Sequence, residues 1–237
     1  MKKIYHFLGL FMSICLFSGV AFGQNLFTLS GVNYDMYKWD ESATLYSCYE
    51  NQIPDTVVIP KTIEHEGVVY KVKTNLYPAL RGIRMKVLIW EADCDIPEKL
   101  CQNCPNLETV IIKGRVEAID KNAFANCENL EKLILNEELL YLGYQAFYNC
   151  SSLKEVTLPA KLRTMQTNVF SYCTSLKKVT IKNKDLDKEV GNYIGMYFKD
   201  TPYAETRAKQ PEGKRKPNQA VTNNPRFKVK KSGTIVY

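Results

Sequence analysis

The chain has 237 residues and a formal net charge of +7 at pH 7, and this charge is unevenly distributed. The segment from Glu205 to the C-terminus carries nine Lys or Arg and two Glu, which predicts a near-neutral to acidic globular body with a basic arm. Beyond the N-terminal apolar run, no segment is apolar enough to span a membrane. His65 is the one histidine after residue 23, which argues against Cys–His or Ser–His catalysis and predicts a non-enzymatic protein.

The N-terminus has the pattern of a secretory signal peptide over residues 1–23. A positive Met-Lys-Lys start is followed by an apolar run from Phe7 to Val20 and by the small-x-small sequence Ala21-Phe22-Gly23. We expect cleavage before Gln24, and therefore an exported protein located at the cell surface or in the medium, or alternatively in the periplasm. Cys15 is an alternative site of lipidation, but it lies in the middle of the apolar run, which disfavours it.

Residues 24–75 are predicted to form a β-rich cap. β-Branched and aromatic residues dominate this segment, and Ser30-Gly31 reads as a turn between two strands. The predicted strands are Leu26–Leu29, Val32–Tyr37, Thr44–Tyr49, Asp55–Pro60 and Gly67–Val72. Such a cap would cover the open end of the repeats that follow, because an uncovered end exposes core residues and strand edges.

An internal repeat of 23 residues occupies the middle of the chain, up to Asn183. Its columns are cysteine (Cys104, Cys127, Cys150, Cys173), leucine (Leu107, Leu130, Leu153, Leu176), an apolar pair at strand spacing (Val110 and Ile112, Leu133 and Leu135, Val156 and Leu158, Val179 and Ile181), a further apolar residue (Ile119, Leu142, Met165) and phenylalanine (Phe124, Phe147, Phe170). A period of this length predicts a solenoid, in which each unit buries its apolar residues against its neighbours. Each unit is predicted to contain one strand and, after an N-cap such as Asp120, a short helix such as Lys121–Asn126.

This pattern resembles the BspA-type, or Treponema-type, bacterial leucine-rich repeat, which carries C-x-x-L-x-x-I-x-L and then I-x-x-x-A-F. The matching residues are Cys104 with Leu107, Ile119 with Ala123-Phe124, Cys127 with Leu130, Leu142 with Ala146-Phe147, and Cys150 with Leu153. The resemblance spans roughly residues 57–182. It implies an α/β solenoid over residues 76–200, with a parallel concave β-sheet and short convex helices. It also implies a cell-surface or secreted binding role and no catalytic residues.

The segment from Arg81 to Asn103 reads as a degenerate first unit of the same length, with Val87 and Ile89 in the core columns. In that alignment the outward positions of the concave face form an aromatic-aliphatic strip with a polar rim, which is typical of an interaction surface. The candidate binding residues are Leu88, Trp90, Ile111, Lys113, Ile134 and Asn136. The predicted partner is a protein or a glycan, in a role such as adhesion; the alternative is a structural scaffold that organises the envelope from the periplasm.

Seven cysteines follow the predicted cleavage site. The four column cysteines are expected to be buried free thiols, and Cys94 and Cys101 are candidates for a disulfide in an exported protein. Cys101 and Cys104 form a C-x-x-C, but a zinc site needs two further soft ligands at matched spacing. The acidic cluster of Glu91, Asp93, Asp95 and Glu98 does not form a recognisable calcium loop. We therefore expect no cofactor and no metal.

The pattern stops after Asn183. Residues 184–201 are predicted to form a last helical cap, and residues 201–237 form the basic tail. The tail either contacts an acidic polymer or acts as a solubilising terminus. No nucleic-acid recognition motif is present, so nucleic acid is not an expected partner.

Overall fold

The computed structural model describes residues 26–48, 52–75 and 79–208, together with the strands β15 (Lys228–Val229) and β16 (Ile235–Val236). The predicted signal peptide and most of the basic tail lie outside the described residues. The strands before the tail are β1 (Leu26–Leu29), β2 (Val32–Tyr37), β3 (Ser42–Cys48), β4 (Thr56–Ile59), β5 (Thr62–His65), β6 (Val68–Lys73), β7 (Val87–Trp90), β8 (Thr109–Ile112), β9 (Ala118–Ile119), β10 (Lys132–Ile134), β11 (Tyr141–Leu142), β12 (Glu155–Leu158), β13 (Thr164–Met165) and β14 (Lys178–Ile181). The helices are α1 (Lys184–Asn192), α2 (Ile194–Tyr197) and α3 (Pro202–Ala208).

The N-terminal strands form a five-stranded sheet in the order β1-β2-β3-β6-β5. Its strand pairs are antiparallel except for β3 with β6. The buried face of this sheet carries Tyr34, Leu45 and Tyr70. The turn between β1 and β2 is made by Ser30 and Gly31, both at positive φ, and a Cβ on Gly31 would lie 2.5 Å from a backbone oxygen. The predicted strands of this region are confirmed.

Parallel strands connect the N-terminal region with the repeats and form the first ladder. Its first part is a sheet of β4, β7, β8 and β10 in that order, and its second part is a separate sheet of β12 and β14. The register pairs Val110 with Leu133 and Val156 with Val179, so the core columns line up across neighbouring units as the repeat predicts. The ladder is interrupted between β10 and β12, which belong to separate sheets.

A second, shorter parallel ladder is formed by β9, β11 and β13, with Ile96 bridged to Ile119 at its end. Between the two ladders the core contains the cysteine, leucine and phenylalanine columns, all fully buried. The rings of Phe124, Phe147 and Phe170 stack nearly parallel, and the centroids of successive rings lie 5.2 and 5.3 Å apart. The sulfur of each column cysteine donates a hydrogen bond to a backbone carbonyl of the preceding unit, at 3.1 to 3.3 Å.

The predicted convex helices are wrong: residues 121–126 and their counterparts are turns. Asn122 and Asn126 have φ of 55° and 60°, and the same two positions are left-handed in every unit, which a helix does not allow. The backbone N–H groups of Asn122, Phe124 and Asn126 donate instead to carbonyls of the next unit at 2.8 to 2.9 Å. Hydrogen bonds between units thus replace hydrogen bonds within a helix.

The three helices close the last repeat. Asn183 caps α1, accepting from the N–H groups of Asp185 and Leu186 at 3.0 and 3.2 Å. The predicted cap over 184–201 contains α1 and α2, and α3 follows it. Phe198 stacks on Phe170, with ring centroids 5.4 Å apart. Backbone carbonyls of residues 196–199 accept hydrogen bonds from N–H groups of the last repeat, in the place that a further repeat would otherwise take.

Gly114 lies where one unit crosses closely over the preceding one. A Cβ added there would lie 2.0 Å from the carbonyl oxygen of Ala92, which is rigid backbone. We expect Gly114→Ala to lower the free energy of unfolding by about 1–3 kcal/mol because the two segments must separate. Gly195→Ala is the matched control, since a Cβ there meets nothing within 4 Å. Urea titrations that show equal stability for the two variants would contradict this close crossing.

Candidate binding face

Strand β7 carries the largest difference from the sequence-based alignment. Leu88 pairs with Val110 and Trp90 pairs with Ile112, so the first repeat interval is 22 residues rather than 23. Both side chains are fully buried, and the Trp90 indole N–H donates to the carbonyl of Cys94 at 3.1 Å. The prediction that Leu88 and Trp90 lie on the open surface of the sheet is therefore wrong. All four residues of β7 are apolar, so the period of two could not choose between its faces.

The register places four aliphatic side chains in one row across the sheet: Val58, Ile89, Ile111 and Ile134. We call this row the aliphatic strip, and the side of the parallel sheet that carries it the open face. Val58 and Ile134 are 37% and 42% exposed, while Ile89 and Ile111 are half-buried. Val58 and Ile89 were missed because β4 was assigned to the cap and β7 was aligned one residue out of register.

Beyond Ile134 the open face becomes polar. Thr157 and Thr180, one and two 23-residue repeats after Ile134, pair with each other on β12 and β14, beside Glu155 and Lys178, which form an ion pair at 3.0 Å. A groove of about 1040 Å³ lies over β10, β12 and β14. The open face therefore combines an apolar half and a charged, hydroxyl-bearing half.

The two polar candidates, Lys113 and Asn136, are at the end of the strands. The Lys113 ammonium lies 3.0 Å from Glu91, at the exposed surface. The Asn136 amide nitrogen donates to the carbonyl of Val116 at 2.9 Å, and its carbonyl oxygen is buried without a hydrogen-bond partner in the described part of the chain. Ile111, Lys113, Ile134 and Asn136 are thus all placed on or beside the open face, and their binding role remains a proposal.

The predicted disulfide between Cys94 and Cys101 is not formed: both are free thiols. Cys101 occupies the core in the position that phenylalanine takes in later units, whereas Cys94 lies half-buried in the loop after β7. Burial raises the pKa of the Cys94 thiol to about 12 and that of Cys101 well above its ordinary value. These two thiols therefore stay protonated and are poor nucleophiles.

Thiol titration tests this assignment. We expect the mature protein, denatured without reductant, to react with a chromogenic disulfide reagent at seven thiols per chain, because the seven cysteines from Cys48 to Cys173 are all free. Protein denatured with a reducing agent and then desalted is the control. A count that rises by two on reduction would reveal a disulfide and contradict the assignment.

The acidic cluster after β7 has a structural role. Asp93 accepts the backbone N–H of Arg115 at 2.9 Å, and Asp95 accepts those of Glu117 and Ala118 at 3.0 and 2.8 Å. The hydrogen bond from Arg115, together with the nearby Lys61, lowers the pKa of Asp93. Within the described residues no cluster of His, Cys, Asp or Glu could hold a metal ion. The carboxylates instead connect the irregular first unit to the next one.

Residues 94–199 match, in six copies, the family described as the BspA type leucine rich repeat region. This part of the chain is a BspA-type leucine-rich repeat region. The BspA-type match begins at Cys94, after β7, and continues through α2, so it includes the regular repeats and the first two of the three closing helices. No curated protein matches the chain.

Two solved structures share the fold of the BspA-type repeats. A leucine-rich repeat protein from Bacteroides ovatus aligns with 65% of this chain at 26% identity and a TM-score of 0.57, but the alignment covers 40% of that protein. The T. pallidum leucine-rich repeat protein aligns with 74% of this chain at 16% identity and a TM-score of 0.51, covering 98% of its own chain.

No helix among the described residues is long and apolar enough to cross a membrane.

Proposed function

We propose that this chain is an exported, non-enzymatic binding protein that captures a protein partner on the concave, open face of its BspA-type repeats. The observation that carries the proposal is the aliphatic strip: Val58, Ile89, Ile111 and Ile134 stand in one row although none is needed in the core. Exposed aliphatic side chains grouped on a rigid sheet and bordered by polar residues are typical of protein interaction sites.

The polar half of the open face supports the same assignment. Thr157, Thr180 and the Glu155–Lys178 pair supply hydrogen-bonding and charged groups beside the apolar row. An apolar centre with a polar border favours a protein over a glycan, because the aliphatic strip contains no aromatic ring on which a sugar could stack and Trp90 is buried. The loss of Trp90 from the surface thus shifts the proposal from protein or glycan to protein.

A printed array of purified extracellular-matrix proteins and of glycans tests the proposal. We expect the labelled protein to bind at least one protein spot and Ile111→Lys/Ile134→Lys to lose that binding, because two charges would then interrupt the strip. Thr157→Lys/Thr180→Lys is the matched control, since it adds the same charges to the polar half of the same face. If Ile111→Lys/Ile134→Lys folds and still binds the same protein spot, or if the wild type binds glycans alone, the aliphatic strip is not a protein-binding site.

Location separates this proposal from the alternative, a periplasmic scaffold that organises the envelope. We infer export from the N-terminal sequence pattern, and protease added to intact cells should digest a surface-exposed binding protein. A protein that is protected in intact cells and digested after the outer membrane is opened would favour the scaffold.

A further inference from the structure

The first ladder is interrupted at one junction, between β10 and β12, which we call the sheet break. At the other junctions, the N–H groups of the residue before a strand and of its first residue both donate to one carbonyl beside the preceding strand. At β14, for example, Lys177 and Lys178 donate to the carbonyl of Lys154 at 3.0 and 3.4 Å. The corresponding donors of β12 are the N–H groups of Lys154 and Glu155, and neither has an acceptor among the described residues. The sheet break therefore leaves two backbone donors unpaired.

Pro159 contributes to the sheet break. Lys113 and Lys182 occupy the same position of the repeat, two units before and one unit after Pro159. Each donates its N–H to the carbonyl that ends the preceding strand, at 2.8 and 3.1 Å. Proline has no N–H and cannot form this bond. The end of β12 therefore lacks the hydrogen bond that would hold it against β10.

The sheet break lies in the groove over β10, β12 and β14, whose charged side chains belong to four lysines and three glutamates: Lys132, Lys154, Lys177, Lys178, Glu131, Glu137 and Glu155. Each glutamate is already paired with a lysine: Glu131 with Lys154 at 2.9 Å, Glu155 with Lys178 at 3.0 Å, and Glu137 with Lys182. Lys132 and Lys177 are exposed, and neither forms an ion pair with a described residue. The groove therefore offers two free ammonium groups and no free carboxylate.

Hydroxyl groups and the charge of the surrounding repeats favour the same kind of ligand. Four further residues of the groove carry hydroxyls that form no hydrogen bond with the described part of the chain: Thr157, Thr174, Ser175 and Thr180. Residues 139–182, which include β12 and β14, contain six Lys or Arg and one Glu, a net charge of +5. Such a surplus of positive charge attracts anions to the groove.

We propose that the sheet break is a carboxylate-binding site that receives an acidic segment of the protein partner. Unpaired backbone N–H groups and ammonium groups are the donors that bind anions in proteins. The free N–H groups lie at the start of β12, and the free ammonium groups belong to Lys132 on the neighbouring β10 and to Lys177 beside β14. Backbone and side-chain donors thus border the same groove.

This inference rests on the proposed function, because the groove continues into the aliphatic strip. Ile134 belongs to the strip and also lines the groove, together with Leu133 and Leu135. An acidic polypeptide therefore fits better than a sulfated glycan, since a polypeptide carries aliphatic side chains and carboxylates on neighbouring residues. One partner segment then places apolar side chains on the strip and carboxylates at the sheet break.

A nuclear magnetic resonance titration of the nitrogen-15-labelled mature chain with a deca-glutamate peptide tests the proposal. The readout is local, because the basic tail also attracts an acidic peptide. We expect the amide signals of Lys154 and Glu155 to shift and saturate as their N–H groups gain an acceptor. The amide signal of Thr109, whose N–H is bonded to the carbonyl of Lys86, should shift little. In Lys132→Gln/Lys177→Gln the shifts should need about tenfold more peptide, because both free ammonium groups are removed.

The control variant is Lys71→Gln/Lys188→Gln, which removes two exposed lysines outside the groove and should titrate like the wild type. If the signals of Lys154 and Glu155 do not move, or if the groove variant and the control variant titrate alike, the sheet break is not a carboxylate site. Dextran sulfate that shifts these signals at a lower concentration than deca-glutamate would overturn the choice of a polypeptide.

The protein and glycan array separates this inference from the proposed function. We expect Lys132→Gln/Lys177→Gln to bind the protein spot of the wild type more weakly. A spot that Ile111→Lys/Ile134→Lys loses and the groove variant keeps at full strength would overturn the carboxylate site and leave the binding role of the aliphatic strip intact.

Discussion

Leu88→Lys is expected to lower the free energy of unfolding by roughly 4 kcal/mol or more, whereas Ile89→Lys, one residue further along, is expected to change it by about 1 kcal/mol or less. Leu88 is fully buried against the core, where an ammonium group has no carboxylate to pair with. Ile89 is half-buried on the open face, where the lysine stem can reach solvent. The difference follows from the 22-residue interval between β7 and β8.

Urea titrations of the two variants, monitored by far-ultraviolet circular dichroism, measure the difference. Val110→Lys and Ile111→Lys form a second matched pair on β8, where the same alternation of buried and half-buried residues holds. If Ile89→Lys were the more damaging substitution of the first pair, the register of β7 would be wrong, and with it the membership of Ile89 in the aliphatic strip.

Phe147→Ala is expected to lower the free energy of unfolding by about 3–5 kcal/mol. The Phe147 ring is fully buried between Phe124 and Phe170, whose centroids lie 5.2 and 5.3 Å away. Its removal leaves a cavity in the middle of a stacked column, with a neighbouring unit on each side that loses contact. Because each repeat is stabilised by its neighbours, the loss should reduce the cooperativity of unfolding as well.

Thermal and urea unfolding of Phe147→Ala can be compared with Tyr144→Ala, which removes an aromatic ring of similar size from the same unit. Tyr144 is 36% exposed, so Tyr144→Ala should lower the free energy of unfolding by well under half as much as Phe147→Ala does. Equal losses for the two variants would show that the phenylalanine column contributes no more than surface packing.

The regular part of this fold is predictable because each 23-residue column repeats one physical requirement. A cysteine, leucine or phenylalanine that recurs at the same position must face the same environment, and the structure buries all three columns. Where the chain departs from the period, the sequence loses that constraint. In β7 the run Val87 to Trp90 is apolar throughout, and only the pairing with β8 shows which side faces the core.

The convex turns show a different limit of sequence reasoning. The segment from Lys121 to Asn126 has an N-cap-like aspartate before it and helix-compatible residues within it. Its two asparagines nevertheless adopt left-handed φ, which asparagine tolerates better than most residues. The deciding energy comes from hydrogen bonds to the next unit, and a prediction made within one unit does not include them.

The candidate site was partly predictable for the same reason. Ile111 and Ile134 belong to regular units, and their place on the open face followed from the alternation along a strand. Val58 belongs to a strand that precedes the repeats, and its place in the row depends on β4 pairing with β7. Neither the cysteine column nor the leucine column extends to β4, so the signal for Val58 was absent from the repeat pattern.

The most direct test of the stacked, in-register repeats is a nuclear Overhauser spectrum of the isotope-labelled mature protein. We expect cross-strand contacts between the backbones of Leu88 and Val110, Ile89 and Ile111, and Val110 and Leu133. Contacts between Val87 and Val110 would show a uniform 23-residue register, and absence of contacts between the strands would show that the units do not stack. Either result would contradict the aliphatic strip and the binding face built on it.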